Sequence, residues 1–116
     1  MISFTKKGDE LIVGGNKVKF PYPIYKAEEY NGLVIVLLDF ENTEERLTNE
    51  LYGISNQGQI AWKMENVQKI LGDAWPASLV DFDIIDNKLI AFDHYARKYT
   101  IDTKDGRILN LDLGRW

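Results

Sequence analysis

The sequence predicts an all-β protein built from two antiparallel β-meanders, with at most one short helix. Three observations predict this fold class. Apolar and polar residues alternate with a period of two along most of the chain, and the alternating segments are rich in β-branched and aromatic residues. Turns containing Gly or Asn separate those segments, as tight hairpins require. The 116 residues are enough for one domain with one core.

The alternation and the turns together predict eleven strands. Pro21 and Pro23 mark an extended crossing segment between the third and fourth strands, because proline cannot donate to a central ladder. Leu33–Leu38 is continuously apolar, so this strand is predicted to be buried on both faces. The predicted strands lie near residues 2–5, 10–14, 17–20, 24–30, 33–40, 50–56, 59–64, 79–85, 88–93, 96–102 and 107–112.

One segment carries helix signals. Within residues 65–71, Val67, Ile70 and Leu71 would lie on one side of a helix, and Gly72 would end it. Residues 73–78 read as a loop. This stretch therefore predicts a short helix followed by a loop between the two meanders.

The chain contains an internal repeat, which sets the predicted organisation. Residues 51–60 align with residues 98–108, with one residue inserted in the turn, and residues 30–35 resemble residues 86–91. Each half therefore forms a four-stranded meander, and the two meanders would pack their apolar faces together as a sandwich or an open two-sheet stack. We expect the additional N-terminal strands to cover an exposed sheet edge. The predicted divisions of this single domain are 1–64 (first meander and N-terminal strands), 65–78 (helix and loop) and 79–116 (second meander).

Composition excludes several classes of protein. The net charge of −4 disfavours binding to phosphate backbones, so no nucleic-acid partner is expected. The longest apolar run, Leu33–Leu38, is far shorter than the roughly 20 residues that span a membrane. There is no cysteine, and the N-terminus lacks the apolar stretch of a signal peptide. These features predict a cytoplasmic protein without a membrane anchor.

Two segments resemble a known family. LYGISNQGQIAWK (51–63) resembles the blade signature of pyrroloquinoline-quinone-type β-propellers, in which a Tyr-x-Ile/Leu-Asp strand turns at a glycine and ends in Trp. YTIDTKDGRIL (99–109) has the Asp but no Trp, with Leu109 or Asn110 near that place. The resemblance implies blade-like meanders and not the quinone, so no cofactor is expected. Two such units cannot close a propeller, which needs about 4–8 blades.

In its small size, its acidic charge and its blade-like meanders, the chain also resembles small bacterial immunity proteins of contact-dependent inhibition and other polymorphic toxin systems. This resemblance implies a cognate toxin domain, often a basic nuclease, whose active site an acidic surface covers. It carries over no contact residue by motif, so contact residues are predicted from chemistry alone.

The sequence offers no recognisable catalytic or metal-binding apparatus. His94 is the single histidine, and the absence of a second histidine and of cysteine argues against a zinc site. Residues 102–106 hold two acids before a glycine but lack the further acids of a calcium loop. Asp81 and Asp83 are the strongest catalytic candidates, because i, i+2 carboxylates on a strand lie about 6.5–7 Å apart, a spacing that glycosidases use. Alternation with apolar neighbours favours a solvated strand face instead, so no catalytic residue and no metal ligand is predicted.

The prediction is therefore a non-enzymatic bacterial immunity protein that binds a basic toxin domain. Its acidic side chains would attract the toxin domain, and its aromatic side chains would anchor the complex. Two alternatives stay open: a small hydrolase that uses the Asp81 and Asp83 pair, and a propeller-like structural protein that self-associates. The predicted partner-binding residues are Glu41, Glu44 and Glu45 of the long acidic loop, together with Asp81, Asp83, Asp86, Asp93, Tyr95 and Trp75.

Overall fold

The computed structural model describes residues 2–39, 49–67 and 77–112, and it confirms the all-β fold class. These residues form eleven strands and no helix. Accordingly, no helix among them is long and apolar enough to cross a membrane. The strands are β1 (Phe4–Lys7), β2 (Glu10–Val13), β3 (Asn16–Lys19), β4 (Ile24–Tyr30), β5 (Leu33–Leu38), β6 (Leu51–Ile54), β7 (Ile60–Lys63), β8 (Leu79–Ile85), β9 (Lys88–Asp93), β10 (Lys98–Ile101) and β11 (Ile108–Asp112).

The described strands form three antiparallel sheets, none of which closes into a barrel. The N-terminal sheet has the order β1-β2-β3, the middle sheet β4-β5-β6-β7 and the C-terminal sheet β11-β10-β9-β8. Each strand pairs with its neighbour in sequence, so all three sheets are meanders. Both predicted four-stranded meanders are present, as the middle and the C-terminal sheets.

Three tight hairpins fix the strand register. Gly14-Gly15, Asn31-Gly32 and Asp86-Asn87 each place two successive residues at positive φ, between 51° and 82°. Two residues in this left-handed region define the type I′ turn, whose twist matches that of the flanking strands. Glycine and asparagine adopt this conformation more easily than other residues, which is why the sequence signals these turns.

The middle sheet is buried on both faces, as predicted for β5. Val34, Val36 and Leu38 pack in one apolar cluster with residues of the N-terminal sheet. Ile35 and Leu37 point the opposite way and pack in a second cluster with residues of the C-terminal sheet. The molecule is therefore a stack of three sheets with the middle sheet shared between two cores.

The role predicted for the N-terminal strands is wrong in one respect. They do not cover an edge; they form a sheet of their own against the second face of the middle sheet. The reason is the alternation of β2 and β3, which puts Leu11, Val13 and Val18 on one buried face. That apolar face stabilises the fold only when it lies against the apolar side of β5.

The antiparallel order gives the stack two different ends. The hairpin end carries the three type I′ turns and the β6–β7 and β10–β11 turns. The opposite end, called here the crossover end, carries the β1–β2 and β9–β10 turns. The predicted helix lies mostly outside the described residues, and Glu65–Val67, the part that is described, is not helical.

Candidate partner-binding surface

The predicted site residues fall into three groups. Asp81, Asp83 and Asp86 lie on β8 and in its turn, whereas Asp93 and Tyr95 lie at the crossover end. The remaining predicted residues, Glu41, Glu44, Glu45 and Trp75, lie outside the described residues. The structure therefore locates five of the nine predicted side chains.

Asp81 and Asp83 each bind the backbone of their own strand. Asp81 Oδ1 accepts a hydrogen bond from the Phe82 N–H at 2.8 Å, and Asp83 Oδ1 accepts one from the Ile84 N–H at 2.8 Å. Among the described residues, strand β8 is an edge strand that pairs with β9 alone. Short acidic side chains that occupy backbone donors at an edge oppose pairing with another chain. The two aspartates that alternate with apolar residues in β8 therefore protect the edge of the sheet from pairing with another chain.

Lys26 of β4 joins the middle sheet to this acidic strand. Its Nζ donates to the Phe82 carbonyl oxygen at 2.6 Å and lies 3.3 Å from Asp81 Oδ1 and 3.9 Å from Glu28 Oε2. The same ammonium group lies 4.7 Å from the centroid of the Phe82 ring. Lys26 is only about one-third exposed, so its cation neutralises Asp81 while holding the two sheets together.

Sequence reasoning missed Lys26 and Glu28 as members of this surface. The signal that could have found them is the alternation in β4, which puts Lys26, Glu28 and Tyr30 on the side of the sheet that faces β8. The Tyr30 hydroxyl confirms that orientation, since it donates to the Asn87 carbonyl oxygen in the β8–β9 turn at 2.6 Å. What the sequence does not show is that the Lys26 and Tyr30 side chains of β4 reach β8 and its turn.

The acidic surface is defined here as Glu28, Asp81, Asp83 and Asp86. Ile85 lies between the last two acids and is 44% exposed. Asp83 and Asp86 are exposed, and neither forms an ion pair with another described residue. The surface therefore combines two unneutralised carboxylates with an accessible apolar side chain on a single rigid hairpin.

Asp93 is not part of any surface, contrary to expectation. Its side chain is fully buried, and its carboxylate accepts four hydrogen bonds. Oδ1 binds the N–H groups of Tyr95 and Arg97 at 2.9 and 3.0 Å, and Oδ2 binds Arg97 Nε and the Tyr99 hydroxyl, both at 2.6 Å. This carboxylate organises the β9–β10 turn, and it cannot steer a partner.

Tyr95 is 48% exposed and lies at the crossover end, with the Arg97 guanidinium carbon 5.3 Å from its ring centroid. Asp86 lies at the hairpin end of the same sheet, separated from Tyr95 by the length of β9, about 20 Å for six residues. The structure therefore does not gather the predicted residues into one site.

His94 is exposed in the β9–β10 turn, and its backbone N–H donates to the Ser78 carbonyl oxygen at 3.0 Å. Among the residues that the structure describes, no group of three or more His, Cys, Asp or Glu side chains is arranged to hold a metal ion.

Fold and surface together define a small all-β protein of stacked antiparallel meanders with an acidic hairpin. The chain belongs to a family described as a domain of unknown function, DUF7957, which matches residues 1–113. No curated protein matches the chain.

Among solved structures, the chain is similar to the computationally designed Ika8 protein, with a TM-score of 0.61 and 10% sequence identity. The match covers 98% of this chain and 33% of the designed protein, so this chain spans about a third of that protein's length. At this identity the similarity concerns the fold alone.

Proposed function

We propose that this chain is a non-enzymatic binding protein that neutralises a basic partner, as bacterial immunity proteins neutralise toxin domains by covering the active site. One observation supports this proposal most directly: exposed Asp83 and Asp86 flank exposed Ile85 on the β8–β9 hairpin. Unneutralised carboxylates attract a cationic surface, and the apolar side chain between them adds contact area that water leaves on binding.

The rest of the molecule supports the same function. The net charge of −4 extends the attraction beyond the contact itself and raises the rate of association with a basic protein. The type I′ turn and the neighbouring Lys26 contacts fix the hairpin before binding, so little conformational entropy is lost when the complex forms. Such inhibition requires complementary shape and charge and no cofactor. A bacterial cytoplasmic location is part of this proposal, because the partner's target would be there.

The test uses the purified product of the gene immediately upstream as the probe. We expect a one-to-one complex by size-exclusion chromatography, with an association rate that falls steeply as salt rises from low to high ionic strength. The test variant is Asp83→Asn with Asp86→Asn, which removes two charges but keeps a side-chain oxygen at each position. We expect this variant to associate about tenfold more slowly at low salt.

The matched control is Asp9→Asn with Asp105→Asn, which makes the same charge change on other parts of the surface. This control should associate at close to the wild-type rate, and both variants should keep the wild-type circular dichroism spectrum. Growth provides a second readout: expression of the probe should arrest cells, and co-expression of the wild-type chain should restore growth. Equal association rates for the two double variants would overturn the proposed role of the hairpin, and absence of any complex would overturn the proposed partner.

A further inference from the structure

The three sheets repeat one arrangement, and among the described residues the first sheet has three of its four strands. Strand β1 contacts β4 of the next sheet, as β5 contacts β8 of the sheet after. Counted from these two strands, the order within the sheet is the same, β1-β2-β3 in the first sheet and β5-β6-β7 in the second. β1, β2 and β3 therefore occupy the positions of β5, β6 and β7, and the N-terminal sheet has no counterpart of β4 among the described residues.

The contacts between sheets confirm this alignment. Gly58 in the β6–β7 turn packs against the N-terminal sheet so closely that a Cβ there would lie 2.7 Å from the Asn16 Cβ. Gly106 in the β10–β11 turn packs in the same way against the middle sheet, where a Cβ would lie 2.8 Å from the Lys63 carbonyl oxygen. Each turn thus abuts the last strand of the preceding sheet, β3 in one case and β7 in the other.

Hydrogen bonds at the two junctions correspond as well. Asn16 Nδ2 of β3 donates to the Gln57 carbonyl oxygen at 2.7 Å, and Trp62 Nε1 of β7 donates to the Thr103 carbonyl oxygen at 2.8 Å. In both cases a side chain of the last strand binds the backbone of the next sheet's second hairpin. β3 is therefore the equivalent of β7.

Within the part of the chain that the structure describes, β1 is an edge strand of its sheet. Residues 34–38 of β5 are all buried, whereas Thr5, Lys6 and Lys7 of β1 are exposed. β1 pairs only with β2 in the described part of the chain, so its other side offers unpaired backbone groups. A cavity of about 410 Å³, lined by Ile2, Ser3 and Glu29 among others, opens beside the start of β1.

The strands of the N-terminal sheet are basic, with two lysines on β1 itself and two on β3 at the opposite edge, whereas the whole chain has a net charge of −4. The N-terminal sheet carries four lysines, and Glu10 is the acid among its strand residues. Lys17 Nζ lies 3.0 Å from Glu10 Oε2, and its hydrogen bond lowers the pKa of the Glu10 carboxyl below its ordinary value. The lysines are Lys6, Lys7, Lys17 and Lys19.

We propose that β1 is a docking edge at which an extended, acidic segment of a partner protein adds antiparallel to the sheet and takes the position that β4 and β8 hold in the other two sheets. Main-chain hydrogen bonds to β1 supply the affinity. Apolar residues on one side of the segment cover Phe4, which is only partly buried. An acidic residue opposite Lys7, on the other side of the segment, and another opposite Lys6 complete favourable cross-strand pairs with β1. This docking edge lies on a different sheet from the acidic surface, so the inference does not depend on the proposed function.

The probe is a capped peptide that copies Leu79–Ile85, the strand that holds the equivalent position in the C-terminal sheet. The peptide is titrated into the ¹⁵N-labelled chain. We expect the largest changes in amide chemical shift within Phe4–Lys7 and slower hydrogen exchange there, with small changes in β11, an edge strand of the C-terminal sheet. No change at β1 at millimolar peptide, or equal changes throughout the chain, would overturn the proposal.

Two controls separate strand addition from attraction between charges. The same peptide methylated at alternate backbone nitrogens keeps its charge but loses main-chain donors, so its affinity should fall at least tenfold; unchanged affinity would contradict strand addition. In the chain, Lys6→Glu with Lys7→Glu should weaken the unmodified peptide at least fivefold, whereas Lys88→Glu with Lys104→Glu should not. Equal weakening by both pairs would exclude the acidic specificity that we assign to this edge.

Discussion

At the scale of single residues, the buried Asp93 carboxylate is the clearest case of a charge that serves the fold. Arg97 is 7% exposed, and breaking a buried ion pair such as Asp93–Arg97 by removing one member costs about 3–5 kcal/mol of stability in proteins. The Tyr99 hydroxyl completes the network. Burial, and secondly the hydrogen bond to Asp93, raise the pKa of Tyr99 well above its ordinary value of 10.0.

We therefore predict that Tyr99→Phe lowers the free energy of unfolding by about 1–3 kcal/mol, because Asp93 then lacks one buried donor. Urea denaturation at pH 7 measures this loss. The matched control is Tyr25→Phe at a position that is 50% exposed, which should change stability by less than about 0.5 kcal/mol. Equal effects of the two substitutions would show that the network contributes nothing specific.

The same residue predicts a dependence on alkaline pH. Because the pKa of Tyr99 is raised on folding, its contribution to stability is complete below pH 10 and is lost as the pH rises above that value. Tyr52 behaves alike, since burial and its hydrogen bond to Glu50 raise its pKa as well. Tyr99→Phe should therefore lose stability less steeply than the wild type above pH 10.

At the scale of secondary-structure elements, Trp62 joins the middle sheet to the C-terminal sheet by packing and by one hydrogen bond. Its ring covers Gly53 of the adjacent strand, where a Cβ would lie 2.6 Å from Nε1, and it also contacts Gly106. The ring N–H binds the Thr103 carbonyl oxygen at 2.8 Å. Two positions without side chains therefore make room for one large aromatic ring between two sheets.

A double-mutant cycle tests this arrangement. Gly53→Ala should destabilise the wild type by about 1–3 kcal/mol, because the new methyl group forces the indole ring out of place. In a Trp62→Leu background the same substitution should cost close to nothing, because the smaller side chain leaves room. Thermal or urea unfolding of the four proteins measures the coupling, and additive effects would contradict direct contact.

At the scale of the whole molecule, the middle sheet couples the two cores. Leu37 and Leu38 are neighbours in β5 but belong to different apolar clusters. A sheet that is buried on both faces cannot lose one layer without exposing apolar surface to water. The three sheets should therefore unfold together as one cooperative unit.

We predict that Leu37→Ala and Leu38→Ala each lower the stability by about 2–5 kcal/mol and shift one common unfolding transition. Tryptophan fluorescence and far-ultraviolet circular dichroism should report the same midpoint in each variant. Leu109→Ala, at a position that is 60% exposed, serves as the control and should change little. Two separate transitions in either core variant would show that the layers unfold independently.

Part of the candidate site was predictable from the sequence. Asp83, Asp86 and Tyr95 are exposed, as polar strand and turn positions indicate. Asp93 was misassigned because turn residues are usually accessible, and only the packed Arg97 and Tyr99 side chains reveal its burial. Lys26 and Glu28 were missed because they lie on a strand that meets β8 across a long stretch of sequence, 55 residues in the case of Lys26 and Asp81.

The sequence by itself determined the eleven strands, the tight hairpin turns and the repeat of the four-stranded meander. These features depend on local causes: the two-residue period of a strand, and the positive φ that Gly, Asn and Asp tolerate. Only the tertiary structure decided that the N-terminal strands form a third layer, that Asp93 is buried and that β1 is an edge strand among the described residues. Those outcomes depend on which apolar faces meet, and such contacts join residues far apart in the chain, where no local pattern records them.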